Sequence, residues 1–145
     1  MNIERIDFVS IPVEDQKRAL GFYVNRLGFE VSMDVAYADD WRWIFLARGP
    51  SGTRLHFARK SELTWSEGMP ALALLSTDVD GDAERLAAEG VEIVHGPEDT
   101  PWGAGGRFVQ IRDSEGNIVL IQSEQAAAQA ETPGRAELKV VASND

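Results

Sequence analysis

The sequence predicts an α+β fold built from two βαβββ modules, whose mostly antiparallel sheets form a cup with one helix on the outer face of each module. Two observations predict it. The chain is written twice: "IDFVSIPVED" followed by "QKRALGFYVNRLGFEV" answers to "PALALLSTDVD" followed by "GDAERLAAEGVEIV". Asp15 matches Asp78 at an offset of 63, and Gly28 matches Gly90 at an offset of 62. After each copy come short alternating runs of apolar and polar residues divided by turn-forming residues, the pattern of strands.

The elements follow in order. Each copy reads as a strand, an Asp able to cap a helix N-terminus, a helix, a Gly just past its end, and a further strand ("GFEV", "GVEI"). In the first helix Ala19, Leu20, Phe22, Tyr23 and Leu27 share a face, and in the second Ala83, Leu86 and Ala87 do. Strands are expected at about 29–36, 41–48 and 53–59 in the first module, with Gly-Pro-Ser-Gly at 49–52 as a turn. In the second they are expected at about 91–95, 105–112 and 117–123, with "DSEGN" at 113–117 as the turn. The modules span about 3–59 and 70–123, joined by a linker at 60–69. Together they make one domain of residues 1–123, and residues 124–145 read as a mobile or partner-contacting tail.

Strand alternation sorts residues between the helix side and the cup. Val9, Ile11, Leu55 and Phe57 should pack on the helix. Phe8 and Ser10, Arg54 and His56, Ala71 and Ala73, and Leu120 and Gln122 should face the cup. On "DDWRWIF", Ile44 and Leu46 supply the helix side, which leaves Trp43 for the cup, where it could stack a flat ligand.

Composition bounds the function. Fourteen Lys and Arg against 24 Asp and Glu give a net charge of −10, which opposes binding to a nucleic-acid backbone. No apolar run approaches the roughly 20 residues that span a bilayer, and the N-terminus does not read as a signal peptide. The absence of cysteine excludes disulfides and thiolate metal sites and fits a cytoplasmic protein. "GAGG" at 103–106 is followed by a strand and carries no Lys-Ser/Thr, so it is not a nucleotide loop.

Three stretches, "IDFVSIPVED…AL.FYVNRLGFEV", "DVD…RLAAEGVEIV" and "RDSEGNIVLIQ", resemble the vicinal oxygen chelate superfamily of glyoxalase I, extradiol dioxygenases, and fosfomycin- and bleomycin-resistance proteins. The family's last motif reads Asp-Pro-Asp-Gly-Asn, and here it is Asp113-Ser114-Glu115-Gly116-Asn117. The resemblance implies a homodimer. It also implies that metal-dependent members place four chelating side chains at the positions held here by Phe8, His56, Ala71 and Leu120. The repeat offsets, 63 from 8 to 71 and 64 from 56 to 120, agree with that mapping.

Only His56 of the four can coordinate a metal, so neither a metal nor any other cofactor is expected. The expected function is binding of a small aromatic or cationic molecule without metal in a Trp-lined cup. The alternative is a lyase, isomerase or dioxygenase of the same superfamily, either metal-dependent or metal-free with His56 as the catalytic group. Phe8, Trp43, Arg54, His56, Ala71, Trp102, Arg107 and Leu120 are the candidate ligand-binding residues. Arg54 could hold an anionic group, and Trp102 lies in a glycine-flanked loop able to close over the cup, with Arg107 just after it.

Overall fold

A computed structural model of the chain describes residues 1–50, 52–63, 68–101 and 105–124. Trp65, Trp102 and most of the expected tail lie outside them.

The first module runs β1 (Phe8–Val13), α1 (Gln16–Leu20), which continues as π-helix over Gly21–Arg26, then β2 (Glu30–Ala38), β3 (Trp41–Ala47) and β4 (Arg54–Arg59). The second runs β5 (Pro70–Leu75), α2 (Val79–Ala88), β6 (Ile93–Asp99), β7 (Arg107–Arg112) and β8 (Ile118–Gln122). Each module forms a four-stranded sheet, in the orders β1-β4-β3-β2 and β5-β8-β7-β6. Within each, only the pair formed by the module's first and last strands is parallel. This is the predicted α+β architecture, the same topology used twice.

Local chemistry places the helices. Asp15 accepts a hydrogen bond from the Arg18 amide at 3.0 Å, and Asp78 accepts one from the Gly81 amide at 3.0 Å, so each caps its helix. Gly28 takes φ +76° past the end of the first helix, where a side chain would be strained and would also crowd the Arg48 guanidinium.

One apolar core lies behind both sheets. Ile11, Val13, Leu55 and Phe57 of the first module join Val109, Ile111, Val119 and Ile121 of the second, with Tyr23 and Leu86 from the helical segments between. Val9 departs from expectation: it was placed on the helix side, yet it is 38% exposed and outside this cluster, because β1 enters the core only from Ile11 onward.

The "DSEGN" turn joins the modules. Asp113 accepts from the Tyr23 hydroxyl at 2.7 Å, and Asn117 donates to the Pro12 carbonyl at 2.8 Å. Burial, followed by the charge of Asp113, pushes the Tyr23 phenol well above its ordinary value, so it stays a neutral donor. The Glu115 carboxylate, with no exposed side-chain surface, accepts from the amides of Glu14 and Asp15 at 2.9 Å and from Arg18 Nε at 2.7 Å. The residues of a hairpin turn thus clasp the start of the first helix and fix one sheet against the other.

Candidate functional site

The helix sides of both sheets pack on the common core, and the opposite faces are those expected to line the cup. On the first sheet, pairing of β1 with β4 sets Phe8 beside Arg54 and Ser10 beside His56, and β3 sets Phe45 against His56. The result is a cluster of rings. The His56 imidazole lies 4.8 Å from both Trp43 and Phe45 and 5.5 Å from Phe8, which meets Phe45 edge-on at 5.0 Å. Tyr37 extends it from β2, 4.8 Å from Trp43. Arg54 lies over the Phe45 ring at 4.5 Å while two of its hydrogen bonds go to the Asp7 carboxylate.

At the centre, His56 is 9% exposed. Its Nδ1 is 2.9 Å from the Ser10 hydroxyl, and its Nε2 is buried with no hydrogen-bond partner among the described residues. A buried polar atom without a partner costs stability. Burial holds the imidazole below its ordinary value, so the neutral ring is the one the fold prefers.

That direction fixes a pH dependence. Between the lowered native value and the unfolded value near about 6.5, the native state binds fewer protons than the unfolded chain. The contribution of His56 to stability is therefore complete above that unfolded value and is lost as pH falls through the native one. Thermal melts from pH 5 to 7.5 should show the wild type losing stability on acidification relative to His56→Gln. Parallel curves would show that the imidazole is not held neutral.

The cup-side face of the second sheet carries Leu120, beside Ala73 and Gln110 in the ladder, and Gln122, whose Oε1 is also buried without a partner among the described residues. His95 stacks on Phe108 with ring centroids 5.5 Å apart, and its Nε2 lies 2.6 Å from Glu98.

Two expected residues belong elsewhere. Ala71 packs against the core, because the β5–β8 ladder is irregular between Pro70 and Leu72 and brings Ala73, not Ala71, beside Leu120. Arg107 lies on the helix side of β7 with Val109 and Ile111, where Asp80 of α2 at 2.6 Å and Asp99 at 3.2 Å hold it and raise its proton affinity. Phe8, Trp43, Arg54 and His56 come together on the first sheet, and Leu120 lies on the second. Phe45 and Tyr37 join the first group, which sequence reasoning had not singled out. Period-two spacing with Trp43 was the available signal for both Phe45 and, across the β2–β3 pair, the β2 residues.

A cavity of about 590 Å³ opens at the seam between the modules, lined by Phe29, Leu74, Leu86 and Ile121 together with Arg26, Arg48 and Arg85. None of the described candidate residues lines it, and neither buried unpartnered polar atom does.

Residues 5–121 match the family described as the Glyoxalase/Bleomycin resistance protein/Dioxygenase superfamily. The chain belongs to this superfamily. It is similar to TnmS3, an antibiotic binding protein from Streptomyces sp. CB03234, with 31% identity, a TM-score of 0.72, and coverage of 86% of this chain and 99% of that one. A superfamily member from Sphaerobacter thermophilus DSM 20745 is 28% identical with a TM-score of 0.71, covering 86% and 100% of the two chains. The uncharacterized protein YetH of Bacillus subtilis (strain 168) is 31% identical over 121 residues, 83% of this chain and 98% of YetH.

The donor set does not suit the metal of the superfamily's metal-dependent members. Phe8, Ala71 and Leu120 have no lone pair to offer, and Ala71 is turned to the core. Among the described residues no group of three or more His, Cys, Asp or Glu is placed to hold an ion.

Proposed function

We propose that the protein binds a small planar aromatic or cationic molecule, without metal, against the ring cluster of Phe8, Trp43, Phe45 and His56. The observation that carries this reading is the buried Nε2 of His56, without a hydrogen-bond partner among the described residues, in a ring flanked by three aromatic side chains. Aromatic faces supply sequence-tolerant stacking, and a single polar atom supplies orientation, the usual division of labour in a small-molecule site. Phe8, 39% exposed and edge-on to His56, is the ring that an entering ligand would turn aside. The similarity to an antibiotic binding protein supports binding rather than turnover as the starting hypothesis.

Titration with planar aromatic and cationic compounds, followed by indole fluorescence and calorimetry, tests the reading. Saturable binding that His56→Ala or Trp43→Ala weakens is the expected result. Elemental analysis after dialysis against a mild chelator should find well under one zinc, nickel, manganese or iron per chain. A near-unit ratio that disappears in His56→Ala would sink the metal-free reading and revive the metalloenzyme.

Metal-free lyase or isomerase chemistry is the second reading, and the neutral imidazole favours it, since a neutral ring can accept a proton. It requires turnover abolished by His56→Gln.

The same proposal includes a homodimer, working in the cytoplasm. Every residue of β2 is exposed, Val31, Met33, Val35 and Tyr37 among them, which leaves an apolar surface next to the ring cluster for a second copy to cover. Sedimentation should give twice the chain mass, and Val35→Lys should shift it toward the monomer. No helix among the described residues is long and apolar enough to cross a membrane.

A further inference from the structure

The hydroxyl of Ser10 lies 2.9 Å from His56 Nδ1, and that is its only hydrogen-bond partner among the described residues. Two arrangements are compatible with the distance. If Nδ1 carried the hydrogen and donated to the serine oxygen, the serine hydrogen would have no acceptor among the described residues. If the serine donates, both groups are satisfied, and the single hydrogen of the neutral imidazole sits on Nε2. The second arrangement wastes no donor at this end of the ring. It leaves an N–H at Nε2, buried and without an acceptor among the described residues.

We propose that Ser10 is a positioning residue that fixes the His56 tautomer, so that the aromatic site selects planar ligands carrying a hydrogen-bond acceptor at their edge. Such an acceptor is a carbonyl, nitro or phenolate oxygen, or a ring nitrogen. This rests on the ring cluster being the ligand site, and it adds a rule for which flat molecules enter. A ligand presenting its own N–H to Nε2 opposes donor to donor, and a hydrocarbon leaves the buried N–H unsatisfied, so both are penalised. Sites built to hydrogen-bond one group reject analogues that lack it more strongly than apolar pockets reject a change of size.

Three tricyclic compounds of nearly one shape separate the terms. Fluorenone offers a carbonyl oxygen, fluorene a methylene and carbazole an N–H. Calorimetry on the wild-type protein should rank fluorenone first, on the order of tenfold tighter than either of the others. Ser10→Ala should narrow that preference to within about threefold, because a free ring can adopt either tautomer, and Ser10→Thr, which keeps the hydroxyl, should retain it. Nitrogen-15 shifts of the His56 ring give a readout that a merely structural serine would not move. They should report the hydrogen on Nε2 in the wild type and in Ser10→Thr, and a mixture of tautomers in Ser10→Ala.

Equal affinity for all three compounds, with Trp43 still required, leaves the aromatic site standing and overturns the selection rule. Carbazole preferred over fluorenone, or a hydrogen found on Nδ1, overturns it as well. If none of the three binds, the aromatic site itself falls and the inference with it.

Discussion

Replacing Glu115 by alanine should cost the fold about 2–3 kcal/mol, seen as a fall of roughly 5–10 °C in the unfolding midpoint of a domain this size. The carboxylate accepts five hydrogen bonds: from the Glu14 and Asp15 amides, from Arg18 Nε and Nη2, and from the Ser114 hydroxyl. Its removal orphans two amides at the start of α1 and unties the turn that joins the modules. Breaking a fully buried ion pair costs about 3–5 kcal/mol, but the Arg18 side chain is 51% exposed and can turn to water, which sets the lower figure.

The pH dependence has a definite sign. Burial alone would raise the Glu115 carboxyl, but the bonds from Arg18, the two amides and Ser114 outweigh it and hold the group below its ordinary value. The native state therefore binds fewer protons than the unfolded chain. The stabilisation is present above the unfolded value of about 4.3 and is lost as pH falls through the native one. Chemical denaturation of wild type and Glu115→Ala at pH 7 and at pH 3.5 should show a gap that narrows in acid. A gap unchanged by pH, or under about 0.5 kcal/mol at pH 7, would mean that the clasp is ornamental to stability.

What the sequence could reveal follows the range of the forces involved. Repetition of strand, Asp cap, helix and Gly is local chemistry, and it located every strand within a few residues. Alternation placed Trp43, Arg54 and His56 on one face, since the ladder obeys period two wherever it is regular. It misplaced Ala71, which sits at the ladder irregularity between Pro70 and Leu72 and so falls out of phase with Ala73. Arg107 needed knowledge of Asp80 on a distant helix, which no spacing within β7 contains. "DSEGN" was legible as a turn and not as a clasp, because its partners Tyr23, Pro12 and Arg18 lie about a hundred residues away. Phe45 and Tyr37 had only alternation to point to them, and an aromatic residue in a strand is more often packing than site.

Trp43→Ala should weaken binding of a planar aromatic ligand by about 2–4 kcal/mol, at least tenfold in affinity. The indole is half-buried and touches the rings of Tyr37, Phe45 and His56, so it is a wall of the proposed site rather than a surface ornament. Stacking on it contributes about 0.5–1.5 kcal/mol beyond area burial, and truncation to alanine removes the buried area as well. A large share of the loss should persist in Trp43→Leu, which keeps apolar bulk and loses the flat face. Fluorescence titration reads the effect directly, since Trp43 should be quenched as a ligand stacks. Trp65, in the expected linker, serves as the control, and Trp65→Phe should leave affinity within twofold. Thermal melts of each variant separate a lost contact from a lost fold, because Trp43 lies outside the common core cluster. If Trp43→Ala binds within twofold of the wild type while Trp65→Phe abolishes the signal, the ligand sits elsewhere. The seam cavity lined by Arg26, Arg48 and Arg85 would then be the next place to look.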